Sequence, residues 1–75
     1  DVREICAALW ANYAQLQFDQ LICEHRKGSE WVHISFAVSP TRKPRGQVLS
    51  LVNSGKYVTG ICNPDGTPFV CAKGA

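Results

Sequence analysis

Over residues 2–16 the apolar positions Val2, Ile5, Cys6, Leu9, Trp10, Tyr13 and Leu16 recur at three- and four-residue steps. That spacing gathers them on one face of an amphipathic helix and predicts the face that meets the core. Asp1 stands where its carboxylate can accept from the free amides of the first turn, and Glu4, three residues on, completes a capping-box-like start.

After Gln17 the period changes. Residues 18–24 form a short run with strand formers such as Phe18 and Ile22, and His25-Arg26-Lys27-Gly28-Ser29 reads as a turn that leaves His25 exposed. Residues 31–36 then alternate, with Val32, Ile34 and Phe36 on one side and Trp31, His33 and Ser35 on the other. The expectation is an antiparallel hairpin whose apolar side receives the helix. Its His33 side is left to face solvent, a ligand or another chain. Residues 39–46 carry two prolines and three basic residues and predict an extended loop, and residues 48–52 predict a third strand. Asn53-Ser54-Gly55 and Asn63-Pro64-Asp65-Gly66 are turn sequences that set residues 57–62 and 68–72 in a small meander. The fold class is α+β, one N-terminal amphipathic helix packed on a small antiparallel sheet, in a single domain over residues 1–75.

The composition narrows the function classes. With 75 residues, 45% apolar and 19% charged, the chain is one small globular unit, which excludes a two-domain enzyme and a disordered tail. A net charge of +2 is far from the dense basic stripe that neutralises nucleic-acid phosphates. No apolar run is long enough to span a bilayer, and the start Asp1-Val2-Arg3-Glu4 lacks a basic n-region. The absence of an initial methionine suits a processed or excised piece of a longer protein. A core this small buries only about 60% of the extended chain's surface. Disulfides, a metal or a neighbouring chain are the usual reinforcements, and four cysteines leave the first two open.

Chemistry concentrates between Phe18 and Phe36. Glu30 precedes His33 by three residues, and a zinc hydrolase needs a neutral imidazole as ligand with a carboxylate near the metal-bound water. In a regular strand, side chains three apart point to opposite faces, so this pair shares a site only if Glu30 lies in the turn or at a bulge.

The runs Phe18-Asp19-Gln20-Leu21-Ile22, Glu30-Trp31-Val32-His33-Ile34-Ser35-Phe36 and Arg45-Gly46-Gln47-Val48-Leu49 resemble the C-terminal portion of the M15 zinc peptidases. These are the D-alanyl-D-alanine carboxypeptidases and L-alanyl-D-glutamate endopeptidases of peptidoglycan, common in bacteriophage lysins and tail proteins. The likeness covers roughly the first two-thirds of the chain. It implies that Glu30 is the catalytic base and His33 the last zinc ligand. It also implies that Arg45 meets a carboxylate, of a peptidoglycan stem peptide or of a partner subunit, and that the protein is virion-associated or acts in the periplasm or cell wall. Trp31 stacks on a ligand or lies under a neighbouring chain.

The family's other two zinc ligands, from a His-x-x-Gly-x-Ala-x-Asp element, have no counterpart before Phe18. The resemblance therefore implies that a second polypeptide or an upstream segment completes the zinc site. The alternative is a non-catalytic virion or tail component that retains the scaffold. A small secreted disulfide domain is a third reading.

Cys23, His25 and His33 suggest another metal cluster across the hairpin, although no Cys-x-x-Cys completes it. Cys62 and Cys71 flank the 63–66 turn and are candidates for a disulfide. Cys6 and Cys23 read as buried thiols acting as small apolar residues, and no Cys–His pairing stands out as a nucleophile. Arg42, Lys43, Arg45, Arg26 and Lys27 form two short basic clusters in loops that are solvated or meet carboxylates.

Overall fold

An Asp1 side-chain oxygen accepts from the Arg3 backbone N–H at 2.8 Å, so the predicted cap forms. Helix α1 follows over Val2–Ala11 in the computed structural model, which describes residues 1–38 and 41–70. The single helix expected over residues 2–16 breaks at Asn12. There the side-chain amide donates to the Ala8 carbonyl at 2.7 Å, competing for the backbone acceptor of the helical ladder. A short helix, α2 over Tyr13–Leu16, completes the apolar face, and Gln17 ends it in the left-handed region at φ 48°.

The hairpin forms as the alternation predicts. Strands β1 (Gln20–Arg26) and β2 (Ser29–Ser35) pair antiparallel around Lys27-Gly28, with Gly28 at φ 83°. Strand β3 (Gln47–Leu51) lies on the other side of β1 and pairs with it in parallel, and β4 (Tyr57–Thr59) pairs antiparallel with β3. The sheet order is β2-β1-β3-β4. The parallel pairing arises because the chain between β2 and β3 returns to the start of β1. Gly46 N–H donates to Phe18 O at 3.2 Å and Gln47 N–H to Asp19 O at 3.1 Å. The stretch expected as one strand over residues 57–62 is split at Gly60, φ 94°, into β4 and β5 (Ile61–Cys62), and β5 forms a second hairpin with β6 (Pro68–Val70). The 63–66 turn closes with Gly66 N–H on Asn63 O at 2.9 Å. The architecture is α+β, with the helix on one face of the sheet.

Val2, Cys6, Phe18, Leu21, Cys23, Val48 and Ile61 form the core between helix and sheet, with Leu9, Trp10, Tyr13, Leu16, Val32 and Ile34 packed around it. Ile5, predicted on the core face, is 52% exposed at the outer edge of the helix. Two polar devices lock the C-terminal hairpin in place. Buried Ser50 donates to Gly60 O and accepts from Cys62 N–H, both at 2.8 Å. Arg3 donates to Asn63 Oδ1 at 2.5 Å, and its guanidinium lies 4.7 Å from the Phe69 ring centre.

The loop before β3 is held by Asp19, which is 4% exposed. Its carboxylate accepts from Arg45 Nε at 3.1 Å, Arg45 Nη2 at 2.8 Å and Arg42 Nη2 at 2.7 Å. The hydrogen bond from the Arg45 side chain is the largest cause that holds the Asp19 pKa down at about 2. Gly46, at φ 62°, lies so close to Tyr13 that a Cβ there would come within 3.0 Å of the ring. No other residue suits both the dihedral and the approach.

Candidate functional site

Cross-strand partners share a face, so the β1–β2 register decides which side chains meet. The register runs without interruption from Gln20↔Ser35 to Arg26↔Ser29 and pairs Ile22 with His33, Glu24 with Trp31, and His25 with Glu30. Leu21, Cys23, His25, Glu30, Val32 and Ile34 therefore lie on the helix side. Gln20, Ile22, Glu24, Trp31 and His33 lie on the opposite side, where no element of the described chain forms a second layer. No bulge intervenes, so Glu30 and His33 are on opposite faces of β2 and the structure does not bring them together.

Glu30 is instead the partner of His25. His25 was expected in an exposed turn, yet it is 1% exposed, because β1 continues through Arg26 and its alternation carries the ring inward beside Cys23. Its Nδ1 donates to Glu30 Oε2 at 2.5 Å and its Nε2 to the Cys62 carbonyl at 2.8 Å. Both ring nitrogens face oxygen acceptors, which requires a proton on each and makes the ring an imidazolium. Burial works against this cation, but the bonds to the Glu30 carboxylate and the Cys62 carbonyl outweigh it, and the pKa is raised. One charged ring thus joins β1, β2 and β5.

On the open face His33 is exposed, and Trp31 is 43% exposed with the Arg26 guanidinium 5.8 Å from its ring centre. The carboxylate on the same face as His33 is Glu24, its diagonal neighbour across the β1–β2 pair. Sequence reasoning passed over Glu24. The signal was present in the period of two, which puts Glu24 and Ile22 on one side and, once the pairing is known, His33 with them.

The remaining candidates separate likewise. The Arg45 guanidinium is committed to Asp19. Cys23 and His25 come together at 3.4 Å, while His33 lies on the other face, so the cluster across the hairpin does not assemble. The Cys23–His25 contact is the Cys–His pairing that the sequence reading missed; two residues apart on one strand, they share a side. Cys6, Cys23 and Cys62 are buried free thiols, and the Cys62–Cys71 pairing falls on a residue outside the described ones. The cleft beside the His25–Glu30 pair, about 620 Å³ and lined by Arg26, Lys27, Asn53 and Pro64 among others, does not include His33.

Among the described residues, no group of His, Cys, Asp and Glu side chains is arranged to hold a metal ion. The described residues by themselves do not assemble the three-ligand zinc centre that the resemblance implies. No helix among the described residues is long and apolar enough to cross a membrane. No family model matches the chain, and neither the curated proteins nor the solved structures yield a match.

Proposed function

We propose that the chain is the sheet-forming C-terminal part of an M15-type, peptidoglycan-directed peptidase scaffold from a phage or bacterial cell-wall lytic protein. The missing zinc ligands come from a second polypeptide or an upstream segment. The observation that carries this reading is the sheet face away from the helix, where exposed His33 stands beside Trp31 and Glu24 within the stretch that resembles the family. In this reading His33 offers one imidazole, and Glu24 is the carboxylate on the same side. Glu30, taken from the sequence as the base, holds His25 instead. The partner surface is the stem peptide together with the polypeptide that completes the site.

The test is metal analysis of the purified chain, alone and with whatever copurifies, for native protein and His33→Ala. The expected result is weak or no zinc in the isolated chain and a His33-dependent site in the assembly. Tight, stoichiometric zinc in the chain alone would overturn it.

The second reading, a non-catalytic virion or tail component, draws on the lack of a metal-holding group among the described residues. It predicts binding to murein sacculi without cleavage, and without zinc even in the assembly.

A further inference from the structure

Strand β2 ends the sheet order β2-β1-β3-β4, so β1 satisfies only one side of its backbone. The N–H and C=O of one antiparallel strand residue point to the same side, and the side alternates along the chain. Ser35 turns its carbonyl toward β1, where it accepts from Asp19 N–H at 2.7 Å. At the other end Ser29 and Arg26 flank the two-residue Lys27-Gly28 turn and form its hydrogen-bonded pair. Both ends give one answer. Ser29, Trp31, His33 and Ser35 turn their backbone groups to β1, and Glu30, Val32 and Ile34 hold theirs outward. Among the described residues nothing reaches those outward groups.

We infer that this edge is an interface for a second copy of the chain: β2 pairs antiparallel with β2 of the other copy about a two-fold axis at Val32, which joins the two sheets into one.

The strand is self-complementary in that register. Val32 meets Val32, and on either side Glu30 meets Ile34 of the second copy; all are outward residues, and each antiparallel pair of that kind exchanges two backbone hydrogen bonds. Trp31 falls opposite His33 of the second copy, and the reverse, in the closer non-hydrogen-bonded positions where aromatic cross-strand pairs add stability. Both side chains are exposed in the single chain, on the face away from the helix. A slide of two residues leaves either Ile34 and Ser35 or Ser29 and Glu30 unpaired, and a slide of four toward the turn sets Glu30 directly against Glu30. A slide of one residue sets outward groups against inward ones.

The residues of the edge point the same way. A strand that keeps partners off is short, or carries a lysine, a proline or a bulge. The opposite edge obeys this rule, since β4 has three residues and lies between Lys56 and Gly60. Strand β2 has seven residues, no lysine, no proline and an uninterrupted register, and its one charged residue, Glu30, is already paired with His25. Strand pairing alone belongs with the small interfaces, under about 1,200 Å², so the dimer exchanges with monomer and fills as concentration rises.

The test uses the full chain, kept reduced so that no thiol cross-link forms, from about 1 μM to about 1 mM, the range in which weak association is read. Sedimentation velocity should show monomer at the low end and dimer at the high end. Amide hydrogen exchange followed by NMR should be slow throughout at Trp31 and His33, and should slow with concentration at Glu30, Val32 and Ile34. A mixture of isotope-labelled and unlabelled chains should give an intermolecular contact between the α-protons of Trp31 and His33, which fixes the register. Trp31→Lys, a charge on the edge, should weaken the dimer by about tenfold or more. A chain that stays monomeric to about 1 mM, a dimer in which those three amides still exchange fast, or amides already protected in the dilute monomer would each overturn the inference. The native chain carries these readouts, so a variant that fails to fold leaves the test intact.

Discussion

His25 Nδ1 lies 2.5 Å from Glu30 Oε2, and this contact turns Glu30 toward the helix side of the sheet while His33 faces away from it. The two residues that the sequence joins by a Glu-x-x-His spacing serve different faces. Glu30 pairs with buried His25; His33 is left with Glu24 and Trp31 on the sheet face away from the helix. Within the β1–β2 pair, the carboxylate on that face is Glu24 of β1.

Glu30→Gln should destabilise the fold by about 1–2 kcal/mol near pH 6, a charge-assisted hydrogen bond discounted for Glu30's partial exposure. The raised His25 pKa means that the native state holds the proton more tightly. This contribution is fully present below the unfolded value, about 6.5, and is lost as pH rises through the higher folded value. Urea unfolding of wild type and Glu30→Gln across pH 5.5–9.5 checks this, and the gap between the two should narrow as pH rises. A gap that widens instead would place the stabilising charge elsewhere.

Asp19 titrates in the opposite sense. Held down at about 2, it contributes stability above its unfolded value of about 3.9 that is lost as pH falls through the folded value. Asp19→Asn should lower the melting temperature at pH 5 and converge with wild type below pH 2. Thermal melts over that range decide it.

Ser50→Ala removes one hydroxyl and orphans two buried groups, the Gly60 carbonyl and the Cys62 N–H. The expected cost is about 2–4 kcal/mol, seen as a lower denaturation midpoint at unchanged slope. Ser50→Thr, which retains the hydroxyl, should lose less if the added methyl is accommodated. Gly46→Ala meets both a left-handed backbone and the Tyr13 ring at 3.0 Å. The dihedral alone costs about 1–2 kcal/mol, so chemical denaturation should show at least that loss.

On the proposed peptidase reading, and in an assembly that supplies the other ligands, Glu24→Gln should slow murein cleavage by about 10²–10⁴, the usual worth of a general base. Glu30→Gln should act mainly through stability, leaving turnover within about tenfold when assayed well below its melting point. Turbidity loss of purified sacculi measures both. A large loss for Glu30→Gln with none for Glu24→Gln would return the base to Glu30.

Much of the architecture was legible in the order of residues. The helical spacing from Val2 to Leu16, the alternation after Glu30 and the turns at Gly28, Gly55 and Gly66 lead to the observed elements, because each depends on a period or a dihedral that neighbouring residues set. The alternation also held His33 and Glu30 apart unless a bulge intervened, and none does. What remained hidden depends on closure between distant segments. The parallel approach of β3 to β1, the burial of His25 against Cys62 and the commitment of Arg45 to Asp19 join residues up to 37 positions apart. Periodicity says which way a side chain points from its own strand. Only the packing of strand against strand and helix against sheet decides what stands opposite it, because the solvation and charge of a buried ring or carboxylate are set by groups that local sequence does not contain.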